Sequence, residues 1–525
     1  MLQFESDGEL ISCKDINCTD ESHKAKLDIL SRNLLSNITD AAYQSVPVSQ
    51  VRRAKTTKSN KSSPGWKEFV APLQETARFW YLVWLSAGKP QNTQLHKLMK
   101  TTKNRYHYQV RRCRRVEEFI RNSKMASNCL ENDLDLFSEV KKQRKNLSNE
   151  EVTIDGVAGK DIPEKFAEVY SRLYNSAKDE SKIEEVERKV NSLINKSEWS
   201  VVEGINSLTI QDALRKIKPD KSDPICEFSS DFLKNAPSLF HDHLASLIRS
   251  FLVHGYIPHF LLVATLVPIV KDKLGDICSS KNYRSIAISS LLLKLIDWII
   301  IDKYGHLLET SDFQFGFQPA SSTSLCSWMV FETIDSYLRK GSIVYGCLLD
   351  CTKAFDTVEH SQLFEKLLKA KIPPIVIRLL ICIYRKQTAK VEWRGMYSKE
   401  FSIRNGVRQG AVISPLFFSY YMDSLFDILV KSGSGCHIDT YYAGCFGYAD
   451  DLLLICPSRK GLQDMLDLAE IYVSKHNISF STNPDLAKSK TKAIIFTRKK
   501  LKFVPTELRL NGNALPWVEL ASDSD

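Results

Sequence analysis

Apolar positions change their rhythm twice along this 525-residue chain. Residues 1 to about 60 are mostly polar, with few apolar positions at a regular period, and they end in the Lys/Ser/Asn-rich run Lys55 to Ser63. That composition predicts a loosely ordered leader. After Pro64-Gly65-Trp66 the period becomes helical. Leu95, Met99, Thr102, Tyr106, Val110, Cys113, Val116 and Ile120 recur at steps of three and four, and Lys97, Lys100, Lys103, Arg105, Arg111, Arg112, Arg114 and Arg115 fill the other faces. The pattern predicts an amphipathic helix with one buried stripe and a basic exterior, within a basic helical segment over residues 61–150. From Ile162 to Lys340 the pattern stays largely helical, with a strand at Leu262 to Val270. From Ile343 onward short apolar strands alternate with helices: Val344 to Leu349, then Phe446 to Tyr448 and Leu452 to Ile455 as a hairpin, then Ala493 to Phe496. Strands interleaved with helices predict an α+β sheet domain carrying acidic residues at its strand ends.

Charge sharpens this picture once it is located. The chain carries a net charge of +10, yet Arg52 to Leu147 alone holds 22 Lys/Arg against 8 Asp/Glu, so the remainder is slightly acidic. A concentrated basic segment is the footprint of a polyanion binder, since each neutralised phosphate releases counterions. A solvated charged helix is the plainer alternative. Thirteen cysteines are scattered without a repeated C-x-x-C pair, and no Cys/His cluster shows zinc-ligand spacing along the chain. An odd count without a framework points to a reducing, intracellular setting, nuclear or cytoplasmic. The N-terminus has no basic region followed by an apolar run, and the longest apolar stretch, Phe260 to Val270, is too short to span a bilayer. No membrane role is expected.

Three clusters carry chemistry. In Leu348-Leu349-Asp350-Cys351-Thr352-Lys353-Ala354-Phe355-Asp356 an apolar strand delivers Asp350 to its C-terminal edge. In Phe446-Gly447-Tyr448-Ala449-Asp450-Asp451-Leu452-Leu453-Leu454 two adjacent carboxylates sit in a tight turn between hydrophobic strands. Carboxylates gathered at buried strand ends are costly unless a cation neutralises them, and hard oxygen ligands suit Mg²⁺. Two such ions about 4 Å apart activate an attacking hydroxyl and stabilise a leaving pyrophosphate. Between these clusters lies Asn405-Gly406-Val407-Arg408-Gln409-Gly410-Ala411-Val412-Ile413-Ser414-Pro415, where glycines permit close backbone approach and Ser414-Pro415 starts a helix. Taken singly, an Asp-Asp pair is usually a cap or turn, and a Gly-containing turn is usually just a helix start.

In order and spacing, the three clusters resemble the A, B and C motifs of reverse transcriptases. Asn282-Tyr283-Arg284-Ser285-Ile286, Gln314-Phe315-Gly316-Phe317 with Ser321, Ser322 and Thr323, and Lys218 to Lys234 resemble finger motifs of non-LTR (LINE-type) retrotransposon polymerases. Phe480 to Lys490 resembles motif D, and Pro64-Gly65-Trp66 with the basic helices resembles the linker of that group. The resemblance covers roughly residues 60 to 515. It implies a right-hand polymerase: a basic linker over 61–150, an N-terminal extension and fingers over 151–340, a palm with an antiparallel sheet and packed helices over 341–500, and a last segment, 501–525, before a thumb. It also implies an RNA-directed DNA polymerase that takes an RNA template, a DNA primer and deoxynucleoside triphosphates. Asp350, Asp450 and Asp451 would ligate two Mg²⁺ ions. Phe355 would exclude a ribose 2′-OH, Gln409 and Gly410 would line the incoming nucleotide, and Arg284 and Lys271 (or Lys273) would meet its triphosphate. Lys488 would protonate pyrophosphate. Ser285 departs from the proline of many relatives. Neither an endonuclease constellation nor thumb helices are visible, which gives the expectation of a truncated core, with a non-catalytic nucleic-acid-binding remnant as the alternative.

Overall fold

The computed structural model describes residues 13–45, 66–116, 153–175, 180–225, 228–272, 275–408, 410–483, 485, 489–498 and 506–519. They fall into two compact units, one drawn from residues 1–47 and 152–525 and the other from 48–151. Among the described residues, no helix is long and apolar enough to cross a membrane.

One expectation is corrected at once. Part of the supposed leader is helix α1, Glu21–Ser45, opened by Asp20, whose Oδ1 accepts from Ser22 N at 2.8 Å. Its Leu27, Leu30, Leu34, Leu35 and Ile38 are buried in the main core of the larger unit. A stripe spaced by three and four suffices to bury one face, however polar the other faces are.

The smaller unit contains α2 (Ala71–Ser86) and α3 (Gln94–Arg115). Thr93 caps α3 by accepting from His96 N at 3.3 Å, and Trp84 of α2 stacks on His96 at 5.9 Å. The predicted stripe lies on the packed side of α3, with Met99 and Cys113 buried, although Val116 is exposed. All eight lysines and arginines named above for this helix are exposed. Ile120 lies outside the described residues.

In the larger unit the chain continues through α4 (Ile162–Tyr174), α5 (Glu180–Leu193), α6 (Ser207–Lys216), α7 (Ser238–His254) and α8 (Leu291–Tyr304). The apolar sides of α6, α7 and α8 form the main core together with α1. Asp223 fixes the start of α8, its Oδ2 accepting from Leu291 N at 2.7 Å. Then follow α9 (Thr323–Arg339), α10 (His360–Lys369), α11 (Pro374–Lys386), α12 (Ser414–Lys431) and α13 (Arg459–Lys475).

Two five-stranded sheets are built around these helices. The first contains β1 (Val263–Val270), β2 (Tyr283–Ile288), β4 (Thr388–Trp393) and the short β5 (Met396–Tyr397) and β6 (Phe401–Ser402). Its order is β2-β1-β4-β5, with β6 also on β4; β1 runs antiparallel to β2 and parallel to β4. Only β1 is evident in the apolar rhythm. In β2 and β4 exposed Arg284 and half-buried Lys390 and Glu392 break it, while Ala389 and Val391 turn inward to Phe166 and Tyr170 of α4. The second sheet joins β3 (Val344–Asp350), β9 (Cys445–Tyr448), β10 (Asp451–Cys456), β11 (Lys492–Phe496) and β14 (Trp517–Glu519) in the order β14-β11-β3-β10-β9. Two small hairpins, β7–β8 (His437–Ile438 with Tyr441–Tyr442) and β12–β13 (Arg509–Leu510 with Asn513–Ala514), complete the strands. Cys347, Leu349, Leu452, Leu454 and Ala493 point from the second sheet into the core, where Met465, Leu466 and Ala469 of α13 receive them. The chain is therefore a mixed α+β structure.

Candidate active site

Strand alternation sets the first carboxylate. Cys347 and Leu349 turn into the core, so Leu348, 40% exposed, and Asp350 lie on the open face. Asp451 pairs with Asp350 across the antiparallel β3–β10 ladder. Directly opposed residues share a face, with Cβ atoms about 5 Å apart. Asp450 precedes Asp451 in the two-residue link between β9 and β10. Its neighbour Ala449 has φ +60°, a left-handed position that such links usually give to glycine.

What holds an alanine there is Gln314. Its Oε1 accepts from Ala449 N at 3.0 Å and from Gly316 N at 2.9 Å, while Nε2 donates to the Ala449 carbonyl at 3.4 Å. The backbone adds Phe315 N to the Gly447 carbonyl at 2.8 Å and Gly447 N to the Phe313 carbonyl at 2.7 Å. A Cβ on Gly316 would stand 2.2 Å from Ala449 N, so only glycine lets the two segments close. Asp350 is braced from the other side, its carbonyl accepting from Ser481 N at 2.8 Å.

The electrostatics follow. Burial, and then the charges of Asp450 and Asp350, hold the Asp451 carboxyl above the usual carboxylate range. The Lys490 ammonium stands 3.7 Å from Asp350 Oδ2. Lys271, at the end of β1, is held below the usual lysine range by burial and then by Lys353, Arg284 and Lys490, which together form a cationic rim. Arg284 itself is exposed on β2, and Ser285 beside it is buried against Tyr174, with its Oγ 2.9 Å from the Tyr174 hydroxyl.

The third cluster is locked onto the first. Val407 N donates to the Phe355 carbonyl at 2.7 Å, Gly406 N to the Val358 carbonyl at 2.8 Å and Asn405 Nδ2 to the Asp356 carbonyl at 2.6 Å. His360 Nε2 lies 2.8 Å from the Gly406 carbonyl, and burial pushes its imidazole down to about 4. Asp297, in the apolar helix α8, reaches Arg408 Nη2 at 2.6 Å and accepts from Val412 N at 3.2 Å. Burial raises the Asp297 carboxyl against the pull of Arg408; burial works against the charged guanidinium too, but Asp297 and Tyr384 together hold it above its ordinary value. Gly410, at φ +106°, lies where a Cβ would meet the Ala287 carbonyl of β2 at 2.3 Å. Half-buried Phe355 stacks on Phe418 at 4.5 Å and meets Phe317 edge-on at 6.4 Å.

Of the residues proposed from sequence, the structure groups Asp350, Asp450 and Asp451 at one sheet edge and places Lys271 and Arg284 on the cationic rim. Phe355, in the one-turn helix Ala354–Thr357, and Gly410 lie on the two interlocked segments. Gln409, Lys488 and the alternative Lys273 lie outside the described residues. Sequence reading did not single out Asp297 or His360, and it noted Gln314 and Lys490 only as parts of motifs. An acid inside the apolar run Leu291 to Ile301 was the available signal for Asp297.

Residues 270–504 match the family described as "Reverse transcriptase (RNA-dependent DNA polymerase)". The chain is 30% identical over 233 residues to the Retrovirus-related Pol polyprotein from type-1 retrotransposable element R2 of Nasonia vitripennis, covering 43% of this chain and 22% of that one. It is 26% identical over 213 residues to the polyprotein of type-2 element R2DM of Drosophila melanogaster, covering 41% and 20%. It is also 26% identical over 314 residues to the probable RNA-directed DNA polymerase from transposon BS of the same fly, covering 58% and 33%. The matched part thus spans a third or less of each of these relatives. The family match takes in all three clusters, so the chain carries a reverse transcriptase domain over residues 270–504, similar to parts of retrotransposon polyproteins.

Proposed function

We propose that this chain extends a DNA primer on an RNA template, with the β14-β11-β3-β10-β9 sheet as the palm and the β1–β2 sheet as part of the fingers. The observation that carries the reading is the register of Asp451 on Asp350, with Asp450 in the adjoining turn and the Lys490 ammonium 3.7 Å from Asp350. Three carboxylates on one open edge form a hard-oxygen donor set, and the Asp451 carboxyl, raised by burial and then by the charges of Asp450 and Asp350, is one that a divalent cation would stabilise in its charged form. The donor set fits Mg²⁺, with Asp350, Asp450 and Asp451 as the residues that would hold two ions. When bound, such ions activate the primer hydroxyl and neutralise charge on the leaving pyrophosphate.

The chain's own residues do the remaining work. Lys271 and Arg284, with Lys353 beside them, bind the triphosphate as point charges and bidentate donor. Gln409 and Gly410 line the nucleotide, and the close seat of Gly410 against β2 keeps that wall thin. Phe355, held through its carbonyl by Val407 and through its ring by Phe418, is the residue that would exclude a ribose 2′-OH. Lys488 donates a proton to the leaving group, and Lys490, beside Asp350, is the competing donor. Exposed cations of α3 hold template phosphates.

Homopolymer primer extension with Mg²⁺ tests the reading. Asp450→Asn is expected to abolish extension while leaving folding and RNA binding intact. Activity that survives this change would remove the metal assignment. A folded, RNA-binding wild-type chain that extends nothing would overturn the catalytic reading in favour of a binding role.

A further inference from the structure

A second cluster of ligating side chains lies away from the carboxylates, at the foot of helix α7. Cys13, Cys18, His23 and His254 each present one ligand atom, and all four atoms lie within 4.8 Å of one another. Cys18 Sγ is 3.3 Å from His23 Nδ1, which is in turn 3.2 Å from His254 Nε2. Cys18 and His254 are buried; Cys13 and His23 are half-buried. We propose that this quartet is a structural zinc site that fastens the N-terminal segment to the helical core.

Hydrogen bonding alone does not satisfy the cluster. His254 Nδ1 lies 2.8 Å from the Ser250 carbonyl, which fixes the proton on Nδ1 and leaves a bare lone pair at Nε2, aimed into the cluster. His23 Nδ1 faces both that lone pair and the Cys18 sulfur. If it carries a proton it serves His254 and leaves the Cys18 S–H without that acceptor. If it carries a lone pair it accepts from Cys18 and leaves buried His254 Nε2 without a donor. A cation bound by two thiolates and two imidazole nitrogens resolves both conflicts at once.

The geometry and the surroundings suit zinc. Bonds of about 2.0 Å to nitrogen and 2.3 Å to sulfur place tetrahedral ligands roughly 3.3–3.8 Å apart, close to the two contacts above. Four protein ligands leave no open position, which marks a structural rather than a catalytic site. His254 has an outer partner of the kind that orients zinc-bound histidines, the Ser250 carbonyl, and the Asp20 carboxylate lies 3.8 Å from the far nitrogen of His23. Two thiolates balance the charge of Zn²⁺.

The site also answers a mechanical need. His254 is the last residue of α7, and His23 lies in the first turn of α1. Arg378 of α11 already ties these parts together, donating to Asn17 Oδ1 at 2.7 Å and to the carbonyls of Ile16 at 2.9 Å and Leu252 at 2.7 Å. Zinc would add a second clasp beside it. Sequence reading missed the site because two short spacers, Cys13 to Cys18 and Cys18 to His23, lead to a fourth ligand far along the chain.

The test uses the full chain purified from zinc-supplemented cells. Elemental analysis is expected to find one zinc per chain, released by a mercurial reagent. Replacement by Co²⁺ is expected to give tetrahedral d–d bands and a thiolate-to-cobalt charge-transfer band. Cys18→Ser and His254→Gln are each expected to lose the metal and the bands. Asp450→Asn and Cys382→Ser are expected to keep both, which separates this site from the polymerase carboxylates. Should the ligand variants fail to fold, chelation of the wild type still decides, since it is expected to expose residues 13–45 to protease. A folded chain that binds neither metal, zinc retained by both ligand variants, or a Cys13–Cys18 disulfide in the metal-free protein would each overturn the proposal.

Discussion

The buried pair of Asp297 and Arg408 offers the sharpest quantitative test of how the nucleotide loop is held. The two side chains are 1% and 6% exposed and 2.6 Å apart. Asp297→Asn preserves shape and leaves an oxygen for Val412 N, so what disappears is the charge opposite Arg408. An uncompensated buried guanidinium costs about 3–5 kcal/mol, a hundred- to several-thousand-fold change in the folded ratio. Replacing both partners, as in Asp297→Leu with Arg408→Met, removes the orphaned charge. That exchange is often neutral or favourable, but here it leaves Val412 N–H unpartnered, at about 1–3 kcal/mol. It also removes the placement of Arg408 over the Tyr384 ring at 5.7 Å, worth about 0.5–2 kcal/mol. The double variant is therefore expected to be more stable than Asp297→Asn and less stable than the wild type. Urea unfolding followed by circular dichroism reads the stabilities, and single-nucleotide extension reads the KM for deoxynucleotide. Because Val412 and Gly410 flank the same turn, Asp297→Asn is also expected to raise that KM. A single variant within about 1 kcal/mol of wild type, or a double variant no more stable than the single, would refute the reasoning.

Phe355→Val is expected to raise kcat/KM for ribonucleotides relative to deoxynucleotides by about 10- to 100-fold, and unchanged sugar selectivity would reduce Phe355 to packing. His360 gives a pH dependence whose sign is fixed by its environment. Its folded value is depressed from 6.5 to about 4, so the contribution is complete above the unfolded value and is lost as pH falls from there. The loss amounts to about 3 kcal/mol by pH 4. His360→Gln, which keeps a donor for Gly406, is expected to flatten that acid-side slope in unfolding midpoints. For α3, replacing Arg111, Arg112, Arg114 and Arg115 with Gln is expected to reduce the log–log salt slope of RNA binding by up to about 3. An unchanged slope would take this helix off the binding surface.

How much could be read beforehand follows from the range of each interaction. Four of the five strands of the carboxylate sheet, all but β14, were legible because apolar alternation is local, and Val344–Asp350 and Asp451–Cys456 fall within a residue or so of their predicted limits. Strands β2 and β4 were not, since Arg284, Lys390 and Glu392 interrupt the apolar rhythm. The helix at Glu21–Ser45 was missed because polar residues outnumber its single leucine stripe, and only the facing core shows that the stripe is sufficient. Gln314 bonding Ala449, Asp297 bonding Arg408, and His254 meeting Cys18 and His23 all join residues that are distant in sequence. Local pattern carries no trace of such partners.

The order β14-β11-β3-β10-β9 has a consequence for biosynthesis. Strand β3, bearing Asp350, is central, yet both of its neighbours are translated long after it, as is Ser481, which braces its backbone. Most of the helical core precedes them on the ribosome and has local contacts with which to begin. A nascent chain would therefore carry a folded helical half and an unpaired β3 edge through much of elongation. Ribosome pausing between codons 351 and 451 would prolong that exposure, making this interval the one in which chaperone capture matters most.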